Sequence, residues 1–272
     1  MQIGIFAKTF PGTEPRGVLS AVRDSGYACA QFNLACCGLP SMPDTVSKET
    51  IAAIGAAVEA TGISLAALSG TYNMAHPDIA VRRSGLAQLA VIIETAAALS
   101  IPLVTLCTGT RNPNDQWVYH PHNGDPSAWA DMAAEMSKAL KLAERHGVDL
   151  GIEPEQANIV TSASDARRLI DEMGSPRLRI VLDPANLFEQ ATRAQARVIV
   201  AEAVEISAGH IALAHAKDRH GDGRFATVGQ GVVDFADFIA RLHSVNFDGP
   251  LVTHGLSASE ASGVARFLKA LI

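Results

Sequence analysis

Eight short, continuously apolar segments recur along this chain, each followed by a longer stretch of helical character. They read IGIFAKT, CAQFNL, SLAALSG, PLVTLCTG, DLGIEP, RIVLDPAN, IALAHAKD and GPLVTHG. Runs this short and apolar on both faces suit strands covered on both sides, as in a parallel sheet buried under helices. The intervening stretches carry helix boundaries. SKETIAAIGAAVEATG opens on Ser47, has Glu49 in its first turn and closes on Gly62, a capped start and a glycine stop. DPSAWADMAAEMSKALKLAERHG has Asp125 and Pro126 in front and Arg145, His146 and Gly147 at its end, which suits the helix dipole and a C-cap. SASDARRLIDEMG begins with a Ser162–x–x–Asp165 variant of the capping box.

Alternating units without a linker or composition break predict an α/β fold of one domain, residues 1–272: a single (β/α)8, or TIM, barrel. A doubly wound open sheet is the alternative. After the first strand stands AKTFPGTEP, with no glycine fingerprint, which argues against dinucleotide binding. The longest irregular stretch, residues 109–129 after the fourth strand, is expected to act as a lid or binding loop.

Composition narrows the function classes. A 48% hydrophobic and 18% charged chain can bury a large core and is too apolar for disorder. No apolar run reaches the ~18 residues of a membrane span, and MQIGIFAKTF reads as a strand in place of a signal peptide. Cys29, Cys36, Cys37 and Cys107 show neither disulfide nor zinc spacing. Free thiols and a cytoplasmic location are therefore expected. The net charge of −6 without a basic block disfavours a nucleic-acid partner.

A barrel of this kind carries its active site at the C-terminal strand ends. The fifth segment ends in GIEPE, giving Glu153 and Glu155; the sixth in VLDPAN, giving Asp183 and Asn186. The seventh ends in AHAKD, giving His215, Lys217 and Asp218, and the eighth in VTHG, giving His254. Charged groups are rarely buried unless paired or bound to metal. One shared divalent cation would offset the burial of Glu153, Asp183, His215 and His254 together. Two carboxylates with two imidazoles suit Mn²⁺, Zn²⁺, Co²⁺ or Fe²⁺ better than Ca²⁺ or Mg²⁺.

Taken singly, each residue has a plainer explanation. Asp183–Pro184 is common turn chemistry, Lys217 and Asp218 can form a solvated ion pair, and His215 among alanines can be a core histidine. His120 and His122 read as a solvated loop, Cys107 as packing. His76, after the third strand, is expected to reach the substrate pocket.

The succession GIEPE, LDPAN, HAKD, VGQGVVDFADFIARL and NFDGPLV resembles the xylose-isomerase-like TIM barrels, most specifically from about residue 150 onward. That superfamily holds sugar isomerases and epimerases, inosose-type dehydratases and apurinic-site endonucleases. In its isomerase and epimerase branch, Glu, Asp, His and Glu on strands five to eight hold a divalent metal. The resemblance thus implies Glu153, Asp183 and His215 as ligands. It also implies that Asn186, Lys217 and Arg219 line the pocket and that Gly229–Gly231 loops over it. Counting from Gly249, the strand-eight glutamate falls on His254, with Thr253 the one-residue alternative. Strand alternation puts His254 with Val252 on one face, expected to be the inward one.

The expected activity is isomerisation or epimerisation of a small sugar or keto-polyol. Glu153 would act as base, with His254, Lys217 or Glu155 as the second proton carrier. A dehydratase of the inosose or dehydroshikimate type and a non-catalytic homologue are the alternatives. The expected partner is a small polyol or sugar, with neither nucleic acid nor membrane; homo-oligomerisation is left open.

Overall fold

The eight apolar segments form one closed parallel ring in the computed structural model, which describes residues 1–272. Its strands are β1 (Gln2–Phe6), β2 (Cys29–Phe32), β3 (Ser64–Ser69), β4 (Leu103–Leu106), β5 (Asp149–Ile152), β6 (Leu178–Leu182) and β7 (Ile211–Ala216). After β7 comes a small antiparallel hairpin, β8 (Asp218–Arg219) with β9 (Phe225–Ala226). The eighth barrel strand is therefore β10 (Pro250–Thr253). It closes the ring beside β1, from Gln2↔Pro250 to Ile5↔Thr253. Sequence reading missed the hairpin because its strands are two residues each.

Helices α1 (Pro15–Asp24), α2 (Lys48–Thr61), α3 (Ile79–Ala98), α4 (Pro126–His146), α5 (Ala163–Met173), α6 (Arg193–Ile206), α7 (Phe235–Ser244) and α8 (Ala261–Lys269) follow the barrel strands in turn. Helix boundaries fall where the capping chemistry directs. The Ser47 side chain accepts from Thr50 N at the start of α2, and Gly62 ends it at φ 70°, a left-handed conformation that glycine adopts without a Cβ penalty. At α5, Ser162 Oγ accepts from Asp165 N at 3.1 Å, but the returning carboxylate takes Thr161 N, one residue earlier than a capping box would. No helix of the chain is long and apolar enough to cross a membrane.

The barrel interior is layered. Ala67, Leu103, Val181, Leu213 and Val252 form a buried apolar cluster of their own, supplied by β3, β4, β6, β7 and β10. Space there is tight: a Cβ on Gly151 would meet Val181 Cγ2 at 2.7 Å. Nearer the C-terminal strand ends the side chains become polar. Gln31 from β2 donates to Ser69 Oγ of β3 and to Thr105 Oγ1 of β4, both at 3.2 Å. Burial makes such bonds obligatory, since a buried amide left unpaired costs about 1–3 kcal/mol.

The β4–α4 connection is shorter than expected, because α4 already begins at Pro126. Asn123 ties its two ends together. Its Oδ1 accepts from Thr110 Oγ1 (2.9 Å) and Arg111 N (2.7 Å), and its Nδ2 reaches Ala157 O (2.9 Å). The outer residues Trp117, Val118 and Tyr119 are exposed.

Candidate active site

Barrel strands β5, β6 and β7 each hand one polar side chain to the same place. Glu153 and Asp183 are the first residues past β5 and β6, and His215 is the penultimate residue of β7. Their ligand atoms all lie within 4.8 Å of one another. His215 Nδ1 is 3.3 Å from Glu153 Oε1 and 3.5 Å from Asp183 Oδ2. On the far side of the ring, His215 Nε2 meets Gln31 Oε1 at 2.9 Å. The Gln31 amide already donates to two hydroxyls through Nε2, so its oxygen can only accept. His215 therefore carries its proton on Nε2 and turns Nδ1 toward the carboxylates, the orienting role a neighbouring amide plays for a metal-binding histidine.

These three donors fit a divalent cation. Asp183 is almost wholly buried, and its Oδ2 makes no hydrogen bond, with His215 Nδ1 the nearest cationic group at 3.5 Å; a buried carboxylate so placed is one a cation would satisfy. An oxygen, oxygen and nitrogen set suits Mn²⁺, Fe²⁺, Co²⁺ or Zn²⁺. Electrostatics agree. Burial pulls the His215 imidazole down, but Glu153 and Asp183 outweigh it and raise it to about 9. Without a cation, a proton thus stands between the two acids.

His254, expected as a fourth ligand, does not join this three-residue donor group. It is the inward residue, as alternation requires: Val252 lies in the interior cluster, while Thr253 is fully buried on the other face. Its ring, however, stacks between Phe6 (centroids 5.0 Å, 22°) and His215 (5.5 Å, 27°). Face-to-face packing directs the ring plane, not a nitrogen, at its neighbour. Burial, with the cationic groups His215 and Lys217 adding, lowers the imidazole to about 4, and its buried Nδ1 has no partner.

A cavity of about 680 Å³ opens over the cluster and is lined by Glu153, Glu155, Asn186, Lys217, Arg219 and His254, among others. Asn186 bridges two expected groups, donating to Glu153 Oε1 at 2.7 Å and accepting from Lys217 Nζ at 2.9 Å. Glu155 stands beside Cys107, whose Sγ is 3.7 Å from its Oε2. Burial raises the Glu155 carboxyl to about 7, with Glu153 adding to the effect. Cys107 is buried, and that burial, with Glu153 and Glu155 adding, pushes its thiol well up, which disfavours the thiolate. Gln116 and Trp117 of the β4–α4 connection also line the cavity.

Three expectations change. His76 does not line this cavity: its Nε2 meets Pro113 O (3.1 Å) and its Nδ1 accepts from Asp78 N (3.0 Å), tying two loops together. Asp218 is no solvated ion-pair partner but fully buried. Its carboxylate accepts from Arg219 N, Gly229 N, Gly231 N and Val233 N at 2.8–3.1 Å. The Gly229–Gly231 segment consequently folds onto Asp218 and does not line the cavity. A Cβ on Gly231 would sit 2.2 Å from Asp218 Oδ1, which explains the glycine.

Sequence reading missed Gln31, Phe6 and Phe225. Only Gln31 left a usable signal, a lone amide inside the apolar run CAQFNL.

Fold and cluster together define a (β/α)8 barrel with a polar donor set at its C-terminal mouth. The chain belongs to the xylose isomerase-like TIM barrel family, whose model matches residues 19–270. No curated protein matches it in sequence. Among solved structures it is similar to 3-keto-D-glucoside 4-epimerase from E. coli, at 18% identity, 99% of each chain covered and a TM-score of 0.78. D-allulose 3-epimerase from Methylomonas sp. is similar at 16% identity, with 100% of this chain and 98% of that one covered and a TM-score of 0.78. The IOLI protein, solved with a bound zinc atom, is similar at 15% identity over 99% and 97% of the two chains, with a TM-score of 0.75. At such identities the likeness establishes the fold.

Proposed function

We propose that the protein is a divalent-metal-dependent isomerase or epimerase of a small sugar or keto-polyol, working by proton transfer at the carbon beside a carbonyl. The observation that carries this reading is the Glu153–Asp183–His215 cluster beneath an open cavity, with Asp183 Oδ2 making no hydrogen bond. Those three residues would hold the cation. Bound there, it supplies Lewis acidity that polarises the carbonyl and acidifies the neighbouring C–H.

Glu153 is the base. Both of its protein contacts fall on Oε1, so Oε2 is available to take the proton. Epimerisation then needs a second group to return a proton on the opposite face. Glu155 suits that step: raised to about 7, it is part protonated near neutrality. His254, lowered to about 4, stays a neutral imidazole there, able to accept hydrogen bonds from substrate hydroxyls. Lys217 supports negative charge as it develops, held in place by Asn186.

The test is wash-in of solvent deuterium from D2O into a panel of keto-polyols, with and without Mn²⁺. Exchange that depends on Mn²⁺ and drops at least ~100-fold in Glu153→Gln is the expected result. Retained turnover in Glu153→Gln sinks the assignment. A second reading, loss of a β-hydroxyl as water, is favoured by Lys217, a cation beside Asn186 that could protonate the leaving oxygen. Product analysis for a dehydrated ketone separates the two.

A further inference from the structure

Positive charge in the cavity is concentrated at one end, where neither cation hydrogen-bonds a carboxylate, although Asp183 and Glu155 feel the Lys217 charge and Glu189 also lines the cavity. Lys217 and Arg219 both line the cavity, and both lie over one ring. Lys217 Nζ is 4.2 Å from the Phe225 centroid and Arg219 Cζ is 4.6 Å from it. The hairpin creates this arrangement, because Arg219 of β8 is the register partner of Phe225 on β9. Each cation is anchored by neutral oxygens alone: Lys217 by Asn186 Oδ1 at 2.9 Å, Arg219 Nη1 by Gly223 O at 3.1 Å and Glu189 O at 3.4 Å. Gly223 permits the second anchor, for a Cβ there would sit 2.8 Å from Glu189 O at φ +95°. A third cation, Lys8, lines the same cavity from the exposed turn after β1.

Holding two cations against one aromatic ring is unfavourable unless something offsets their repulsion. The ring supplies part, as cation–π attraction of about 0.5–2 kcal/mol each. Lys217 is moreover 8% exposed, and a buried ammonium normally has a counter-ion. Asp183 and Glu155 draw on the Lys217 charge without hydrogen-bonding it, while Glu153 and Glu155 at the β5 end are engaged by His215, Asn186, Cys107 and Asn158. Phe225 is 55% exposed and offers an apolar wall at the mouth. Proton-transfer groups thus gather at β5 and the hydrogen-bond-anchored cations Lys217 and Arg219 at β7–β9, where each keeps N–H groups for an anionic ligand.

We propose that the substrate is an anionic keto-polyol, whose carboxylate or phosphate, at the end away from the reacting carbonyl, is bound by Lys217 and Arg219 beside Phe225. This rests on the proton-transfer reading above and adds the substrate's charge class to it. Arginine held by fixed carbonyls is suited to anion recognition, and charge-assisted bonds in a half-buried site are roughly twice as strong as neutral ones.

Three probes that differ only at C6 test this: D-fructose, D-fructuronate and D-fructose 6-phosphate. Binding is measured by calorimetry in Mn²⁺ buffer, and D2O exchange is followed in parallel. One of the two anions is expected to bind at least ~10-fold more tightly than fructose, with an advantage that shrinks as NaCl is raised. Whichever anion wins identifies carboxylate or phosphate. Arg219→Gln should cut the anion-to-neutral ratio to within ~3-fold, Arg219→Lys should retain part of it, and Lys8→Gln, at an exposed position, should lower it by less. Equal behaviour of the three probes, whether all bind or none does, overturns the inference, as does an unchanged ratio in Arg219→Gln and Lys8→Gln. Exchange on fructose as fast as on the anions overturns the anion site while keeping the proton-transfer reading. Anion-selective binding with no exchange on any probe does the reverse.

Discussion

Gln31 holds His215 from across the barrel, its Oε1 accepting from Nε2 at 2.9 Å. The amide is itself fixed by Ser69 and Thr105, so residues of β2, β3 and β4 set the direction in which a β7 imidazole presents Nδ1. Removing such an orienting partner typically weakens metal binding by roughly 10–100-fold. Gln31→Leu is accordingly expected to weaken Mn²⁺ binding by about that factor, as read by titration. Unchanged affinity would show that His215 needs no orientation from β2.

The raised His215 value makes the metal-free protein pH-sensitive. Burial opposes protonation, but Glu153 and Asp183 prevail and lift the group to about 9 from 6.5. A raised folded-state value stabilises fully below the unfolded value and stops doing so as pH rises through the folded one. Glu155, at about 7 from 4.5, acts in the same direction but over a lower range. His254, lowered to about 4, has gained its full contribution once pH exceeds the ordinary 6.5. In EDTA, stability should therefore fall between pH 7 and 9, by on the order of a few kcal/mol. Saturating Mn²⁺ should remove that fall, because the cation replaces the proton. Thermal melts at pH 7, 8 and 9 check this, and parallel curves with and without metal would contradict it.

Asp218 anchors the segment after the hairpin through four backbone N–H groups. Asp218→Ala leaves those donors without their acceptor, and a loss of about 2–4 kcal/mol is expected in urea unfolding. Gly231→Ala should destabilise in the same sense, since its Cβ would collide with that carboxylate. A change within 0.5 kcal/mol of zero for both would show that the segment is held elsewhere.

The strands, the capped helices and the convergence of Glu153, Asp183 and His215 are legible in the sequence because each is encoded locally. Apolar runs define strands wherever they lie, and GIEPE, VLDPAN and AHAKD place acids and an imidazole where those runs end. What was illegible depends on neighbours distant in sequence. His254 was rightly read as inward, but its stacking depends on Phe6, some 250 residues away. Asp218 looked like an ion-pair partner because Lys217 adjoins it, whereas its partners lie at 229–233. The cations over Phe225 exist only because a two-residue hairpin aligns them, and strands that short leave no periodicity to read.

Mn²⁺ titration of the metal-free protein, followed by the electron paramagnetic resonance of free ion, tests the central claim most directly. One ion per chain is expected, with affinity reduced at least ~100-fold in Asp183→Asn and in His215→Ala and retained in His76→Ala. Absence of a stoichiometric site in the wild-type chain, or binding untouched by Asp183→Asn and His215→Ala, would contradict the metal-dependent site formed by Glu153, Asp183 and His215.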